Sequence, residues 1–272
     1  MNNIQVSTDS ALSTSITLVE KFNPTEIFSN EIVLKIFQYL NKQELGRCCS
    51  VSKTWNTIAK DKKLWLNLIA FGPEKWSTYF GDVGQAPPLP KDIYEILKSP
   101  CPFWEGKRVE ETHMLVLIPA TINGENVTLN TLEELIQNPK QGNKTKFYLN
   151  DNLIKDEHGD KLIEQSYWIL MTRDIIRGSR GESYPKQQKR VSLYEHYLIP
   201  QIREAAICVL MEYVTSGKYL YDFEHLTYTR CEEKVMNQYP IFVGGFGSGG
   251  LRVGGDLFFD LGGYGVGAVR KL

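Results

Sequence analysis

The apolar positions between Phe28 and Ile58 repeat with the period of an α-helix. In the first stretch they recur every three or four residues, so one side of a helix would be apolar. The members of this stripe are Ile32, Val33, Ile36, Phe37 and Leu40. Ser29 stands before the stripe, and serine is a favoured N-cap residue. The pattern therefore predicts a helix that begins after Ser29.

The residues that follow predict two more short helices and a further apolar face. The second helix is expected from about Asn41 to Cys49, and the third from about Val51 to Ala59. The further apolar face consists of Leu64, Trp65, Leu68 and Ile69. A unit of about 40 residues cannot bury all of its apolar side chains alone. We therefore expect it to share its core with a partner.

A different pattern begins after residues 81–90 (GDVGQAPPLP), where two glycines and three prolines interrupt regular structure. Apolar and β-branched residues then predict strands separated by turns. These strands are expected at Glu110–Thr121, Val127–Leu129, Thr145–Leu149 and Tyr167–Ile176, with antiparallel strands and glycine-rich turns over residues 226–269. The Tyr167–Ile176 strand is apolar enough to lie at the centre of a sheet.

Two helices are predicted among these strands. Asn130 and Glu133 have the spacing of a capping box, which predicts a helix that stops by Pro139. A longer helix is expected between Pro200 and Gly217, because proline favours a first turn and glycine favours the position after the last one. The fold class is therefore α+β, with an N-terminal three-helix unit followed by a mixed helix and antiparallel-sheet domain.

Composition narrows the classes of partner. The chain has 31 basic and 32 acidic residues and a formal net charge of -1, so no overall field favours nucleic acid or anionic membrane. The five cysteines have no CxxC spacing, which favours a reduced, cytoplasmic setting over a disulfide framework. No run approaches the roughly 18 apolar residues of a membrane span. We expect no membrane span, no metal site and no cofactor.

Four sequence features are candidates for a catalytic or binding site. Cys231 with His225 six residues earlier has the composition of a thiol nucleophile and its base, although a cysteine in a strand is more often a packing residue. Cys101, His113, Glu110 and Glu111 have no spacing typical of metal ligands. The glycines of residues 243–269 favour turns and bulges over a phosphate cradle, because no helix is predicted after them. The basic stretch Lys186–Arg190 is expected to be a solvated loop.

The segment from Phe28 to Trp65 resembles the F-box family over nearly its whole length. The matching residues are Glu31, Ile32, Ile36, Phe37, Leu40, Leu45, Val51, Lys53, Trp55, Leu64 and Trp65. At the start, Phe28 and Ser29 replace the Leu-Pro pair of the family pattern. The resemblance implies docking onto the Skp adaptor of a ubiquitin ligase. The residues it implies for Skp binding are Phe28, Ser29, Ile32, Ile36, Leu40, Leu45, Val51 and Trp55.

The resemblance also implies a role and a domain organisation. An F-box protein is a non-catalytic adaptor that brings a target protein to a cullin-RING ligase. The expected parts are a flexible tail at 1–22, an F-box domain at 23–70, a connecting segment at 71–90 and an α+β substrate-recruiting domain at 91–272. No WD40, leucine-rich or kelch repeat is evident in the last part. An F-box before an unfamiliar α+β domain is similar to effectors of intracellular bacteria, which implies action in the host cytoplasm. The alternative is an enzyme with a thiol-dependent activity that its F-box localises.

Overall fold

The computed structural model describes residues 28–40, 42–149, 152–255 and 263–272 of the chain. The predicted flexible tail at 1–22 lies outside the described residues. The chain divides into two compact units, and the boundary falls between Leu68 and Ile69. The described part of the first unit is helical, whereas the described part of the second contains helices and mostly antiparallel strands. The α+β class predicted from the sequence is therefore confirmed.

Four short helices follow one another in the N-terminal part. They are α1 (Asn30–Phe37), α2 (Lys42–Cys48), α3 (Lys53–Ala59) and α4 (Lys62–Ile69). Ser29 is the N-cap of α1, as predicted, although its side chain makes no capping hydrogen bond. The hydroxyl of Ser52 caps α3 by accepting the Trp55 N–H at 3.1 Å. Asp61 caps α4, because its Oδ1 accepts the Lys63 N–H at 2.8 Å.

The second unit contains seven helices and eleven strands among its described residues. The helices are α5 (Pro73–Tyr79), α6 (Ile93–Lys98), α7 (Val109–Thr112), α8 (Leu129–Gln137), α9 (Asn152–His158), α10 (Tyr184–Ser192) and α11 (Ile202–Ser216). The strands are β1 (Ala70–Phe71), β2 (His113–Ile118), β3 (Thr121–Ile122), β4 (Glu125–Asn126), β5 (Phe147–Leu149), β6 (Tyr167–Thr172), β7 (Tyr228–Val235), β8 (Tyr239–Gly247), β9 (Gly250–Gly255), β10 (Tyr264–Gly265) and β11 (Val269–Lys271).

These strands form two main sheets and one small hairpin. The four-stranded sheet has the order β1-β2-β6-β11, so β6 is central, as its apolar sequence predicts. The five-stranded sheet has the order β10-β7-β8-β9-β5. The pairs β2–β6, β6–β11, β7–β8 and β8–β9 are antiparallel. The pairs β1–β2, β7–β10 and β5–β9 are parallel, which the sequence did not predict.

Helix α11 lies in the core of the second unit and contacts strands of both main sheets. Ten of its 15 residues are buried, because apolar side chains occupy several of its sides. Gly217 ends the helix in the left-handed region at φ 73°, where glycine has no steric penalty. The predicted stop at Gly217 is therefore confirmed. Among the described residues, no helix has the length and apolarity needed to cross a membrane.

Several local predictions differ from the structure. Val127–Leu129 is not a strand: Thr128 is the N-cap of α8, and its hydroxyl accepts the Thr131 N–H at 3.2 Å. The capping residue is therefore Thr128, two positions before the predicted Asn130, and the helix begins correspondingly earlier. Lys186–Arg190 is part of α10 and not a solvated loop, because Gln187 is fully buried on one side of that helix.

The predicted connecting segment 71–90 contains regular structure. It includes the end of β1 and the whole of α5, and Trp76 of α5 is fully buried. The indole N–H of Trp76 donates to the carbonyl oxygen of Leu117 at 2.9 Å, so α5 is tied to β2. Residues 81–90 have no helix or strand, as their prolines and glycines predict. The limits predicted for the domains, 23–70, 71–90 and 91–272, stay predictions.

Candidate functional site

Helix α1 has apolar side chains on two of its sides. Val33 and Phe37, on one side, are each 2% exposed and belong to the core of the first unit. Ile32 and Ile36, on the other side, are 44% and 47% exposed. Residues four positions apart lie one above the other on a helix, so Ile32 and Ile36 form a short apolar row on the outside. We call these two residues the outer row of α1.

Other large apolar side chains of the first unit are also exposed. Phe28, which precedes the helix, continues the four-residue spacing of the outer row. Val51 lies between α2 and α3 and is 59% exposed. Tyr39, beyond the end of α1, is almost fully exposed. The sequence interpretation missed Tyr39, because it is not among the positions that match the F-box pattern.

The structure separates the eight residues predicted for Skp binding by their burial. Phe28, Ser29, Ile32, Ile36 and Val51 are exposed. Leu40 and Trp55 are half-buried and pack against the core of the first unit. Leu45 is a core residue at 2% exposure, so in this conformation its side chain offers no surface to a partner. Participation of these residues in binding stays a prediction.

Trp55 supports the position of α1. Its ring meets the ring of Phe37 edge to face, with the centroids 5.2 Å apart. Edge-to-face pairs of this kind stabilise by about 0.5–1.5 kcal/mol beyond their burial. The pair joins α3 to α1 through Phe37, which lies about 100° around the helix from Ile36 of the outer row. The buried Nε1 atom of Trp55 has no hydrogen-bond partner in the described part of the chain.

The candidate thiol pair of the second unit is not arranged for catalysis. Cys231 is fully buried in β7. Burial raises the pKa of its thiol well above the ordinary value, and the charges of Glu233 and Glu204 act in the same direction. The imidazole of His225 is exposed, and its Nδ1 lies 2.8 Å from Oδ1 of Asp222. A buried, protonated thiol is a poor nucleophile.

The residues that were considered as metal ligands have other contacts. Glu110 forms an ion pair with Lys98 at 2.8 Å. Glu111 accepts the Arg108 N–H at 2.8 Å and so caps α7. Cys101 and His113 are buried. Within the described ranges, no group of three or more His, Cys, Asp or Glu side chains has an arrangement that would hold a metal ion.

Residues 243–255 of the glycine-rich stretch belong to β8 and β9, and the turn between these strands spans Gly247 to Gly250. The β8–β9 register shifts between Gly244 and Gly247, as in a β-bulge. A dinucleotide-binding loop would instead lead into a helix. The interpretation as turns and bulges therefore agrees with these strands, while residues 256–262 lie outside the described part.

Comparison with known proteins finds similarity over part of the chain. Residues 30–69 match the F-box-like family. Human F-box/WD repeat-containing protein 8 is 58% identical over 38 residues, which are 14% of this chain and 6% of that protein. Mouse F-box/LRR-repeat protein 5 is 47% identical over 47 residues, 17% of this chain and 6% of that protein. The Xenopus tropicalis F-box/LRR-repeat protein 5 is 34% identical over 82 residues, 30% of this chain and 11% of that protein.

The matches to these curated relatives therefore span between 6% and 11% of the relatives' length. No solved structure matches the chain.

Proposed function

Because residues 30–69 form an F-box-like domain, we propose that the chain is a substrate adaptor of a ubiquitin ligase. Its first unit binds a Skp adaptor and, through it, a cullin-RING ligase. Its second unit recruits the protein to be modified. The chain performs no covalent step itself, since holding a substrate near a ubiquitin-loaded enzyme raises the rate through effective concentration.

The outer row of α1 is the observation that carries the proposal. Ile32 and Ile36 are nearly half exposed on a helix whose other side is already in the core. Covering them with a partner would stabilise a complex by on the order of 1 kcal/mol per side chain from apolar burial. A helix that is apolar on both sides is typical of an element that shares its surface with a second protein.

We assign different roles to the eight predicted residues. Phe28, Ser29, Ile32, Ile36 and Val51 contact the adaptor directly, and Leu40 and Trp55 lie at the edge of that contact. Leu45 acts indirectly, because it fills the core against which α1 packs. Phenylalanine at position 28 retains an apolar group where the family pattern has leucine, so docking is retained despite the missing proline.

Co-purification with a eukaryotic Skp adaptor tests the proposal. We expect the wild-type chain to form a 1:1 complex and Ile36→Asp to lose it, because a carboxylate in the outer row cannot be buried without a partner. Lys35→Asp is the matched control: it places the same side chain on the same helix at an exposed polar position. Circular dichroism and thermal melting must show that both variants fold. Equal binding by Ile36→Asp and Lys35→Asp, or no binding by the wild type, would contradict the proposal.

The alternative, an enzyme with a thiol-dependent activity, has little support from the site. Cys231 is fully buried, and His225 is bonded to Asp222. We therefore propose a non-catalytic protein that acts where its adaptor is found, in the cytoplasm. Action in the cytoplasm of a host, as an effector of an intracellular bacterium, stays a prediction. Recovery of the chain in complex with Skp from infected host cells would test it.

A further inference from the structure

The segment between α11 and β7, residues 217–227, lines two adjoining cavities of the second unit. Their volumes are about 370 and 650 Å³, and both are lined by Tyr219, Leu220 and Asp222. Ligand pockets commonly have volumes of about 300–1,000 Å³. We call the two cavities together the 217–227 cleft. The proposed docking through the F-box-like domain assigns no role to a cleft of this size in the second unit.

The walls of the cleft are fixed by the fold. The hydroxyl of Tyr221 donates to the carbonyl oxygen of Thr172 at 2.9 Å, and its side chain is buried. The Phe223 N–H donates to the carbonyl oxygen of Phe246 at 2.9 Å, and the Phe246 N–H donates to that of Tyr221 at 3.0 Å. Tyr221 and Leu226 both have φ 48°, in the left-handed region that side chains rarely adopt. A preformed wall lowers the entropy cost of binding a ligand.

The two arginines of the smaller cavity are already engaged by the protein. Arg173 donates to Glu212 Oε2 at 2.9 Å and to the carbonyl oxygen of His113 at 3.2 Å. Arg180 donates to the carbonyl oxygens of His225 and Leu226 at 3.1 and 3.2 Å. Its second terminal nitrogen donates to the hydroxyl of Thr227 at 3.0 Å. The charge of Arg173 is balanced by Glu212, whereas the acceptors of Arg180 are neutral, so the Arg180 charge remains in the cavity wall beside the two carboxylates.

The two carboxylates of the same cavity are less engaged. Asp174 accepts only the Ile175 N–H, at 2.7 Å, and Asp222 bonds through Oδ1 to the backbone N–H and Nδ1 of His225. In the part of the chain that the structure describes, their Oδ2 atoms accept no hydrogen bond. Burial raises the pKa of Asp174, the Ile175 N–H and the Arg180 charge act against this rise, and the Asp222 charge adds to it. A cation bound beside both carboxylates would favour their charged forms.

The larger cavity supplies aromatic surface beside these carboxylates. Its rings are those of Tyr219, Phe223 and Phe246. Tyr219 and Phe246 meet edge to face at 4.9 Å, so this part of the wall is rigid. The guanidinium of Arg252 lies 5.2 Å from the ring centre of Phe223, which shows that this ring accepts a cationic group.

From this juxtaposition of carboxylates and aromatic rings, we propose that the 217–227 cleft binds a peptide segment with a lysine or arginine side chain next to an apolar one. The cationic group binds Asp174 and Asp222, and the apolar side chain packs against the exposed faces of Tyr219 and Phe223. The inference rests on the proposed function in one respect, because the peptide belongs to the protein that the second unit recruits.

Fluorescence anisotropy with the full-length chain, in the absence of any adaptor, tests the cleft. The probes are fluorescein-labelled hexapeptide pools with a central Lys-Leu, Arg-Leu, Leu-Leu or Glu-Leu pair and uncharged residues elsewhere. We expect the lysine and arginine pools to bind at least about tenfold more tightly than the glutamate pool, as one charge-assisted hydrogen bond predicts. Equal binding of all pools, or preference for glutamate, would overturn the inference.

Two variants test the residues. Asp222→Asn keeps an acceptor for the His225 N–H but removes the charge, and Phe223→Ala removes a half-exposed ring. Each should weaken binding of the lysine pool about tenfold at an unchanged melting temperature. Glu195→Gln is the matched control, because its side chain is 88% exposed and lies outside the cleft. Unchanged binding by both cleft variants would also overturn the inference.

The failure of this inference and that of the proposed function can be told apart. Asp222→Asn should co-purify with the Skp adaptor as the wild type does, and Ile36→Asp should bind the lysine pool as the wild type does. Peptide preference without adaptor binding would contradict the proposed function alone. Adaptor binding without peptide preference would contradict the cleft alone.

Discussion

The hydroxyl oxygen of Thr229 accepts a hydrogen bond from the backbone N–H of Gly267 at 2.7 Å. The backbone N–H groups on either side of Gly267 also donate to hydroxyls. The Val266 N–H donates to the Ser179 hydroxyl at 3.1 Å, and the Ala268 N–H donates to the Thr172 hydroxyl at 3.1 Å. This segment lies between β10, which pairs with β7, and β11, which pairs with β6. Three successive backbone donors between the two sheets are thus satisfied by side chains.

We expect Thr229→Val to destabilise the second unit by about 1–3 kcal/mol, because it leaves the buried Gly267 N–H without its acceptor. Urea denaturation followed by circular dichroism measures the change. Thr215→Val is the control, since the Thr215 hydroxyl is exposed and bonds within its own helix. If both variants unfold at the same urea concentration, the hydroxyl does not hold the segment.

The pH dependence of stability should contain a contribution from His113. Its imidazole is buried beside the rings of Phe103 and Tyr197. Burial, with a smaller effect of the Arg173 charge, lowers its pKa to about 4. The unfolded chain then binds the proton more readily, so stability is intact above about pH 6.5 and falls as the pH drops toward 4. The full loss is about 3 kcal/mol.

The difference in unfolding free energy between wild type and His113→Gln isolates this contribution. We expect the variant to be less stable than the wild type at pH 7 because of lost packing. The difference should shift by about 3 kcal/mol in favour of the variant between pH 7 and pH 4, since only the wild type is penalised by protonation. Parallel stability curves for the two proteins would show that His113 does not titrate in this way.

Glu233 should make the folding stability depend on pH in the opposite direction. Burial raises the pKa of its carboxyl to about 7, and the charges of Glu204 and Glu232 act in the same direction. Its Oε2 accepts the Ile202 N–H at 2.9 Å. Because the folded pKa is above the unfolded value, the stability is intact below about pH 4.5 and is lost as the pH rises through 7.

Glu233→Gln keeps an acceptor for the Ile202 N–H and removes the charge. We therefore expect it to be more stable than the wild type at pH 8, by up to about 3 kcal/mol, with the gain vanishing near pH 4. Glu195→Gln is the control, because Glu195 is 88% exposed and its charge does not act on Glu233. The measurement is chemical denaturation at several pH values. A gain that is the same at pH 4 and pH 8 would exclude a role for the ionised carboxylate.

Substitutions of Leu45 and Val51 should affect different properties of the first unit, folding stability in one case and Skp binding in the other. Leu45 is buried, so Leu45→Ala should cost about 2–5 kcal/mol of stability. Val51 is exposed, so Val51→Ala should change stability by less than about 0.5 kcal/mol and weaken Skp binding instead. Thermal melting and adaptor titration of the same two variants check this. Unchanged Skp binding by Val51→Ala would remove Val51 from the docking residues.

Thiol reactivity tests the remaining catalytic alternative. Cys208 and Cys231 are fully buried with raised thiol pKa values, whereas Cys49 is partly exposed. We expect Cys49 to react first with a thiol reagent, and Cys208 and Cys231 to react only after unfolding. Mass spectrometry of the labelled peptides identifies the sites. Rapid labelling of Cys231 in the folded chain would restore it as a candidate nucleophile.

The pattern of residues along the chain was sufficient to predict those elements that depend on interactions between near neighbours in the sequence. The four-residue spacing of Ile32 and Ile36 and the N-cap position of Ser29 predicted α1. Gly217 predicted the end of α11 because glycine alone adopts φ 73° without a steric penalty. The apolar run of β6 predicted a central strand. The start of α1 and the end of α11 depend on interactions within a few residues, and the apolar run of β6 indicates a buried strand, so the sequence contains these signals directly.

The sequence did not decide which side of α1 is buried. Ile32 and Val33 are adjacent and equally apolar, yet one is exposed and the other is in the core. Only the packing of α3 against α1, through Trp55 and Phe37, makes this distinction. The three-dimensional arrangement likewise made Leu45 a core residue, although the family resemblance placed it with the docking residues.

The sequence by itself determined the F-box-like helices and the α+β class, because hydrophobic period and capping are local properties. Tertiary structure alone decided the parallel pairing of β10 with β7, the hydrogen bond from Gly267 to Thr229 and the pairing of Asp222 with the aromatic cavity. Thr229 and Gly267 are 38 residues apart in the chain. Contacts over such distances depend on how the whole chain packs its apolar side chains, and no local pattern specifies them.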